Sequence, residues 1–304
     1  MSQPARQDDF DQDSPQRGWA SASSSKKSRT RRNVMGVGID PLTMDQTVDK
    51  LKGLMTDGGH HNHLSINAAK IVSAKENPAK QHEFNAADVV SADGQSVVWA
   101  AKLLGRPVPE RVAGIDLMNR LVDLSAEEGQ RIYLLGARPE VLDAVAEDFT
   151  RRGANVVGRH DGYWRQAGKT DEDVAREIGH LSVDILFVAV PSPMKEDFIY
   201  GQRERMAVGV CVGVGGSFDV VAGETKRAPE LVQRLGMEWA FRLALEPKRM
   251  FKRYAVGNTK FLWYLVKDRA AKGRNSTEPA VQQSSVAHEP SPDHAERDDP
   301  KSGS

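Results

Sequence analysis

Asp93-Gly94 follows the run Ala87-Asp88-Val89-Val90-Ser91-Ala92 and precedes a stretch of helical periodicity. A carboxylate at a strand end, beside a glycine that lets the chain turn, is placed to act as a general base. An aspartate capping the following helix fits the same local pattern. Arg111 stands just ahead of Gly114 and a helix start. There a guanidinium can clamp a diphosphate with two parallel hydrogen bonds, or form a surface ion pair. Gly136 ends a strand and Ala137-Arg138-Pro139 opens a helix. Backbone N–H groups at that start can face an anion, although an ordinary strand-to-helix turn reads the same way. Lys195 lies near a helix start after the stiff Pro191-Ser192-Pro193 turn. A lysine is poorly matched to the helix dipole there, which fits a phosphate-binding role and a solvated side chain alike.

The run Gly213-Val214-Gly215-Gly216-Ser217-Phe218-Asp219 follows an apolar strand. It lacks the GxGxxG spacing and the Lys-Ser/Thr of a phosphate loop. It still lets a nucleotide approach the backbone closely, and Asp219 can accept from ribose or base donors. Further on, Arg242, Lys248, Arg249, Lys252 and Arg253 lie among Trp239, Phe241, Phe251, Tyr254, Phe261, Trp263 and Tyr264. Basic residues beside Trp and Tyr suit the surface of an anionic membrane. A core-packing helix with a basic outer face and a nucleic-acid face have similar composition. His60-His61-Asn62-His63 lacks the ligand spacing of zinc sites, and an extended chain points neighbouring imidazoles apart; no metal is expected.

Short β-branched runs bounded by Gly, Asp or Asn must position these residues. The expected strands are Val34–Ile39, His63–Asn67, Asp88–Ala92, Arg131–Gly136, Asn155–Gly158, Asp184–Val190 and Gly209–Val214. Helical patterns alternate with them, among them Ala68–Ala74, Ser96–Leu104, Ile115–Glu128, Lys195–Arg205 and Pro229–Leu235. Such alternation, with near-continuous apolar strands, predicts an α/β fold: a Rossmann-like parallel sheet flanked by helices. Ligands of such sheets bind beyond the C-terminal strand ends, where Asn67, Asp93, Gly136, Pro191 and Gly215 stand.

Hydrophobic residues make up 39% of the 304 residues, and the deficit sits in the tails. Residues 1–32 and 271–304 are polar and charged, and are expected to be disordered. Between them, 33–236 read as the core and 237–270 as a basic helical appendage. The formal net charge of +0 argues against a protein devoted to nucleic acid. The single cysteine, Cys211, excludes an internal disulfide and reads as a buried core thiol. With no apolar run of transmembrane length and no secretory signal, the expectation is a cytoplasmic protein, peripheral on the inner face of the cell membrane.

Taken in order, the motifs resemble the WecG/TagA/CpsF glycosyltransferases, glycosyltransferase family 26. They are Ser65-x-Asn67, Asp93-Gly94, Arg111-x-x-Gly114-x-Asp116, Leu134-Leu135-Gly136, Gly158-x-x-Asp161-Gly162-Tyr163, Pro191-x-Pro193-x-x-Glu196, Gly213-x-Gly215-Gly216-x-Phe218-Asp219, Arg227-Ala228-Pro229, Gly236-x-Glu238-Trp239 and Arg242 through Arg249. The resemblance spans about residues 34–255. It implies transfer of a sugar, with inversion, from a UDP-sugar to a saccharide on a polyprenyl diphosphate, without metal or other cofactor, in exopolysaccharide or cell-surface polysaccharide synthesis. It implies Asp93 as base, Arg111 in the active site, and Ser65 and Asn67 in the pocket. Gly215, Gly216 and Asp219 match the nucleotide pocket, and Arg242, Arg249 and Lys252 the basic positions of the appendage. The family often reads Gly-x-Pro-Lys-Gln-Glu where this chain has Pro191-Ser192-Pro193-Met194-Lys195-Glu196, so Lys195 replaces the glutamine. That leaves the donor open between N-acetylmannosamine, its uronic acid and glucose. Another nucleotide-sugar enzyme, or a nucleotide-sugar-binding scaffold without turnover, is the alternative. A homo-oligomer is compatible with the sequence.

Overall fold

The computed structural model describes residues 31–229, 232, 237–245 and 257–270, with the side chains of Trp239, Arg242 and Leu245 left out. The expected first strand is instead a hairpin: β1 (Arg32–Val34) and β2 (Val37–Ile39) pair antiparallel, apart from the main sheet. Met35 and Gly36 between them take φ of 50° and 91°. Two successive left-handed residues reverse the chain in two residues, so one extended run becomes two short strands.

The chain continues through α1 (Met44–Met55), β3 (His61–Ile66), α2 (Ala68–Glu76), α3 (Pro78–Ala86), β4 (Val89–Ala92), α4 (Gln95–Leu103), α5 (Gly114–Glu128), β5 (Arg131–Gly136) and α6 (Pro139–Arg151). Then come β6 (Asn155–His160), α7 (Asp171–Gly179), β7 (Ile185–Ala189), α8 (Met194–Met206), β8 (Val210–Gly213) and α9 (Ser217–Val221). Two further helical stretches are Glu238–Leu245 and 257–270. The expected helix Pro229–Leu235 falls almost wholly outside the described residues, whereas α9 carries no helical signature in the sequence.

The six strands β3–β8 form one parallel sheet in the order β4-β3-β8-β7-β5-β6. Strand β5 shows why it is buried on both faces. Leu134 packs with α1, α5 and α6 residues such as Leu51, Leu121 and Val145, while Tyr133 and Leu135 pack with Val174, Ile178 and Phe198 of α7 and α8. Adjacent side chains of a strand point to opposite faces, so an apolar run without alternation needs helices on both sides. Cys211 sits in the α7/α8 layer, and burial pushes its thiol up to about 12, as expected of an inert core cysteine. Helix 257–270 buries Phe261 and Leu265 against the α2–α4 layer.

From β3 the chain steps to β4 at one edge, and from β5 to β6 at the other. The intervening strand ends therefore face a crevice left by crossovers running in opposite directions, the usual place for a ligand in such sheets.

Candidate active site

Asp93 ends β4 at the rim of this crevice. It does not cap α4, whose N-cap is Gly94 with no side-chain cap. Its Oδ1 instead accepts from the N–H of Gly114, the first residue of α5, at 3.0 Å. A carboxylate there meets the positive end of the α5 dipole. Its own N–H donates to the Ile66 carbonyl at 2.9 Å, which fastens it to β3. Asp93 is half-buried, and burial raises its carboxyl above the usual range. The Gly114 N–H, Arg111 and Lys70 pull it back, and Glu238 pushes it further up. A carboxylate with raised affinity for a proton, held by one N–H and open to the crevice, suits proton abstraction.

Ser65 and Asn67 stand beside it, at the end of the neighbouring strand β3. The Ser65 Oγ is buried without a partner among the described residues, and a Cβ on Gly114 would approach it to 3.2 Å. The bare Gly114 thus keeps room between Ser65 and Asp93. Asn67 caps α2 through its side chain, which accepts from Lys70 N–H at 3.1 Å. Its Cβ lies 3.5 Å from where a Cβ on Gly94 would sit.

Arg111 forms an ion pair, but not the solvated surface pair its local sequence allows. Its guanidinium donates to Glu238 at 2.5 Å and faces Asp116 at 3.9 Å, with its side chain 14% exposed. Asp116 in turn accepts from Arg227. The chain Glu238–Arg111–Asp116–Arg227 ties the stretch after β8 to the start of α5, close to Asp93.

Across the crevice, Lys195 is 7% exposed, so a solvated lysine is overturned. Its Nζ pairs with Glu196 Oε1 at 3.0 Å, and the same oxygen accepts from Ser192 at 2.9 Å. Burial pushes the Glu196 carboxyl up, yet Lys195, Ser192 and Lys70 outweigh it and hold it below the usual range. Gly213 makes room: a Cβ there would lie 3.1 Å from the Lys195 stem. Gly215 has φ 53°, Gly216 caps α9, and both are exposed, with Asp219 in the first turn of α9.

Gly136 completes the edge on β5. Its φ is 109°, and a Cβ would lie 2.7 Å from the Ala189 carbonyl carbon and 2.8 Å from its oxygen. Gly136→Ala is expected to cost about 1–3 kcal/mol, because backbone, not a movable side chain, stands in the way. A urea titration reads this directly, and an unchanged midpoint would remove the constraint argued here.

The strand ends thus gather Ser65, Asn67, Asp93, Lys195, Gly215, Gly216 and Gly136 along one edge, with Arg111 over Asp93. Arg242 lies in the helix Glu238–Leu245, and Arg249 and Lys252 lie outside the described residues. Lys70 is absent from this sequence-derived set. It is on the first turn of α2, and its Nζ donates to the Ser65 carbonyl at 3.0 Å. Its only sequence signal is the one Lys195 shares, a cation in a helix's first turn. The histidine run is dispersed: His61 meets Asp57 at 2.8 Å, and His63 meets Ser91 at 2.9 Å. Among the described residues no group of three or more His, Cys, Asp or Glu side chains is arranged to hold a metal.

A parallel sheet with a tuned carboxylate and several cations at its C-terminal edge is an α/β arrangement suited to group transfer. The comparisons with known proteins agree. The profile of the glycosyl transferase WecG/TagA/CpsF family matches residues 32–275. A Bacillus spizizenii protein is 37% identical over 180 residues, 58% of this chain and 68% of the relative. A Staphylococcus aureus protein, from strain NCTC 8325, is 32% identical over 221 residues, 72% of this chain and 86% of the relative. Both are named N-acetylglucosaminyldiphosphoundecaprenol N-acetyl-beta-D-mannosaminyltransferase. The chain belongs to the WecG/TagA/CpsF glycosyltransferase family, and it is a glycosyltransferase.

Proposed function

We propose that this glycosyltransferase moves a sugar of the N-acetylmannosamine class, with inversion, from a UDP-sugar to a sugar on a polyprenyl diphosphate, in cell-surface polysaccharide synthesis. The relatives' names support the acceptor class and the donor sugar. The observation that carries the chemistry is Asp93, raised by burial and held by the Gly114 N–H at the crevice rim. Its carboxylate takes the proton of the acceptor hydroxyl as that oxygen bonds to the anomeric carbon. The anomeric carbon–oxygen bond breaks in the same displacement, and UDP departs with the electron pair. Ser65 and Asn67 hold the reacting sugars, while Gly136, Gly215, Gly216 and Asp219 receive the nucleotide. Arg111 and Lys195, joined by Arg242, Arg249 and Lys252, offset the charge that grows on the diphosphate.

A polyprenyl-linked acceptor requires the protein to work at a lipid surface. Among the described residues no helix is long and apolar enough to cross a membrane. Leu262, Trp263 and Val266 on the 257–270 helix are 56–68% exposed, and Trp99 and Leu103 on α4 are 54% and 46% exposed. Lys267 stands 5.0 Å over the Trp263 ring, and Arg269 donates to the Leu103 carbonyl. Exposed Trp and aliphatic side chains rimmed by cations suit peripheral docking on anionic lipid.

The test is UDP release from a panel of UDP-sugars, with and without a synthetic N-acetylglucosamine-diphosphate-polyprenol in anionic liposomes. Release that requires both the N-acetylmannosamine donor and this acceptor is expected. Acceptor-dependent release from another donor, with none from this one, overturns the donor assignment. No acceptor-dependent release from any donor overturns the reaction.

A further inference from the structure

Lys70 belongs to none of the motifs that carry the family resemblance. From the first turn of α2 its Nζ folds back over the end of β3, toward a small cavity it shares with Lys195, Glu196, Tyr200 and Gly213. The cavity measures about 20 Å³, room for about one water or a single ligand oxygen. An ammonium has three donors. Among the described residues only the Ser65 carbonyl is hydrogen-bonded to this one, at 3.0 Å, and the Phe84 ring lies 5.9 Å away.

The charges around it come from every neighbouring element. Lys195 and Glu196 face it from α8, Asp93 from the end of β4 and Glu83 from α3. His63 on β3 stays neutral, held down to about 3 by burial first and by Lys70 second. Lys195 is satisfied by Glu196 at 3.0 Å, but the other Glu196 oxygen, Oε2, is buried without a partner among the described residues. Two cations therefore share one compact, half-satisfied space. Burial, and next Lys195, lower Lys70 to about 7, against the opposing pull of Glu196, Asp93 and Glu83.

We propose that Lys70 is a cation switched on by the donor: it takes a proton from solvent as an anionic oxygen of the UDP-sugar enters the cavity that it and Lys195 line, and returns it when UDP leaves. This deepens the donor site proposed above and rests on it. The reason is electrostatic. Repulsion between the two ammonium groups and the loss of hydration disfavour the charged form in the empty site, and an anion within about 4–6 Å reverses both. The anion is the diphosphate or a carboxylate on the sugar; the chemistry required of Lys70 is the same. Net exchange is one proton taken up on binding and one released on product departure, with no covalent change in the protein.

Calorimetric titration of the full chain at pH 8, in HEPES and in Tris, counts protons from the dependence of the heat on buffer. Wild-type protein is expected to take up about one proton per nucleotide, and its affinity to fall nearly tenfold per pH unit above pH 8. Lys70→Arg, which stays charged, should bind with uptake near zero and a flat pH dependence. Lys70→Met should bind more weakly and take up none. Lys195→Gln should reduce the uptake, because it removes the repulsion that discharges Lys70. Uptake with UDP alone assigns the anion to the diphosphate; uptake only with a UDP-hexuronate assigns it to the sugar. Tight binding without uptake in the wild type, or wild-type uptake persisting in the Lys70 variants, overturns the proposal while leaving the donor site intact. Failure of the wild type to bind any UDP compound overturns the donor site and this proposal together.

Discussion

Asp93→Asn is expected to lower the rate of sugar transfer by about 10²–10⁴-fold, the usual worth of a positioned general base. Binding of UDP should change little, because the contacts assigned to the nucleotide lie across the crevice on β5, β8 and α9. Asparagine keeps the shape, and its side-chain oxygen can still accept from the Gly114 N–H, but it cannot take a proton. The pH profile makes the test sharper. The base must be ionised, and burial raises the Asp93 carboxyl above its ordinary range. Activity should therefore fall as the pH drops through that raised value, at a higher pH than an ordinary aspartate would give. The residual rate of the Asn variant should lack this acid limb. Stability moves the other way. A carboxyl whose folded pKa is raised makes the folded state bind more protons than the unfolded one between the two pKa values. Stability then falls as pH rises through that window, and at neutral pH the ionised group carries the full penalty. The Asn variant removes that penalty, so it should melt at least as high as the wild type. A substantial drop in melting temperature together with the rate would make Asp93 a structural residue rather than a base.

The parts of this site differ in how far local pattern reveals them. Strand β5 is found end to end in the sequence, because an apolar run from Ile132 to Leu135 between Arg131 and Gly136 has few other places to go. The position of Asp93 is legible for the same reason: a carboxylate after a buried strand lands on the C-terminal edge of the sheet, where ligands of such folds bind. The hairpin at Met35-Gly36 is not, since methionine gives no hint of the left-handed conformation it adopts. Lys70 is hidden because a lysine in an amphipathic helix usually marks the solvent face. Only its place in the first turn, with the side chain directed back toward the strand, separates it from that. Arg111 is visible as a cation near a helix start, but its partner Glu238 lies 127 residues on. Pairing over that distance follows from the fold; the family resemblance contains the two residues in separate motifs and does not pair them.

That pairing leads to the second large effect. Arg111→Ala is expected to reduce transfer by about 10²–10³-fold, the scale seen when one stabilising group for developing charge is removed. The guanidinium lies between Asp116 and Glu238 and near Asp93, so its loss acts on two levels. It removes a cation from the proposed reacting centre, and it breaks the ion pair that fastens the Glu238–Leu245 helix to the start of α5. Leaving the other partner of such a partly buried pair unsatisfied costs about 1–3 kcal/mol. A charge-reversed pair, Arg111→Glu with Glu238→Arg, separates the two. It restores an ion pair between the same positions but places a carboxylate where the reaction needs a cation. If Arg111 only docks the helix, the double variant should recover both resistance to proteolysis near residue 238 and most of the transfer rate. The expectation here is recovery of the first without the second. Glu238→Gln completes the comparison. It leaves Arg111 facing Asp116 alone, and position 238 no longer raises the Asp93 carboxyl. The acid limb of its pH profile should therefore shift to lower pH, whereas a purely mechanical tie would leave that limb where it was.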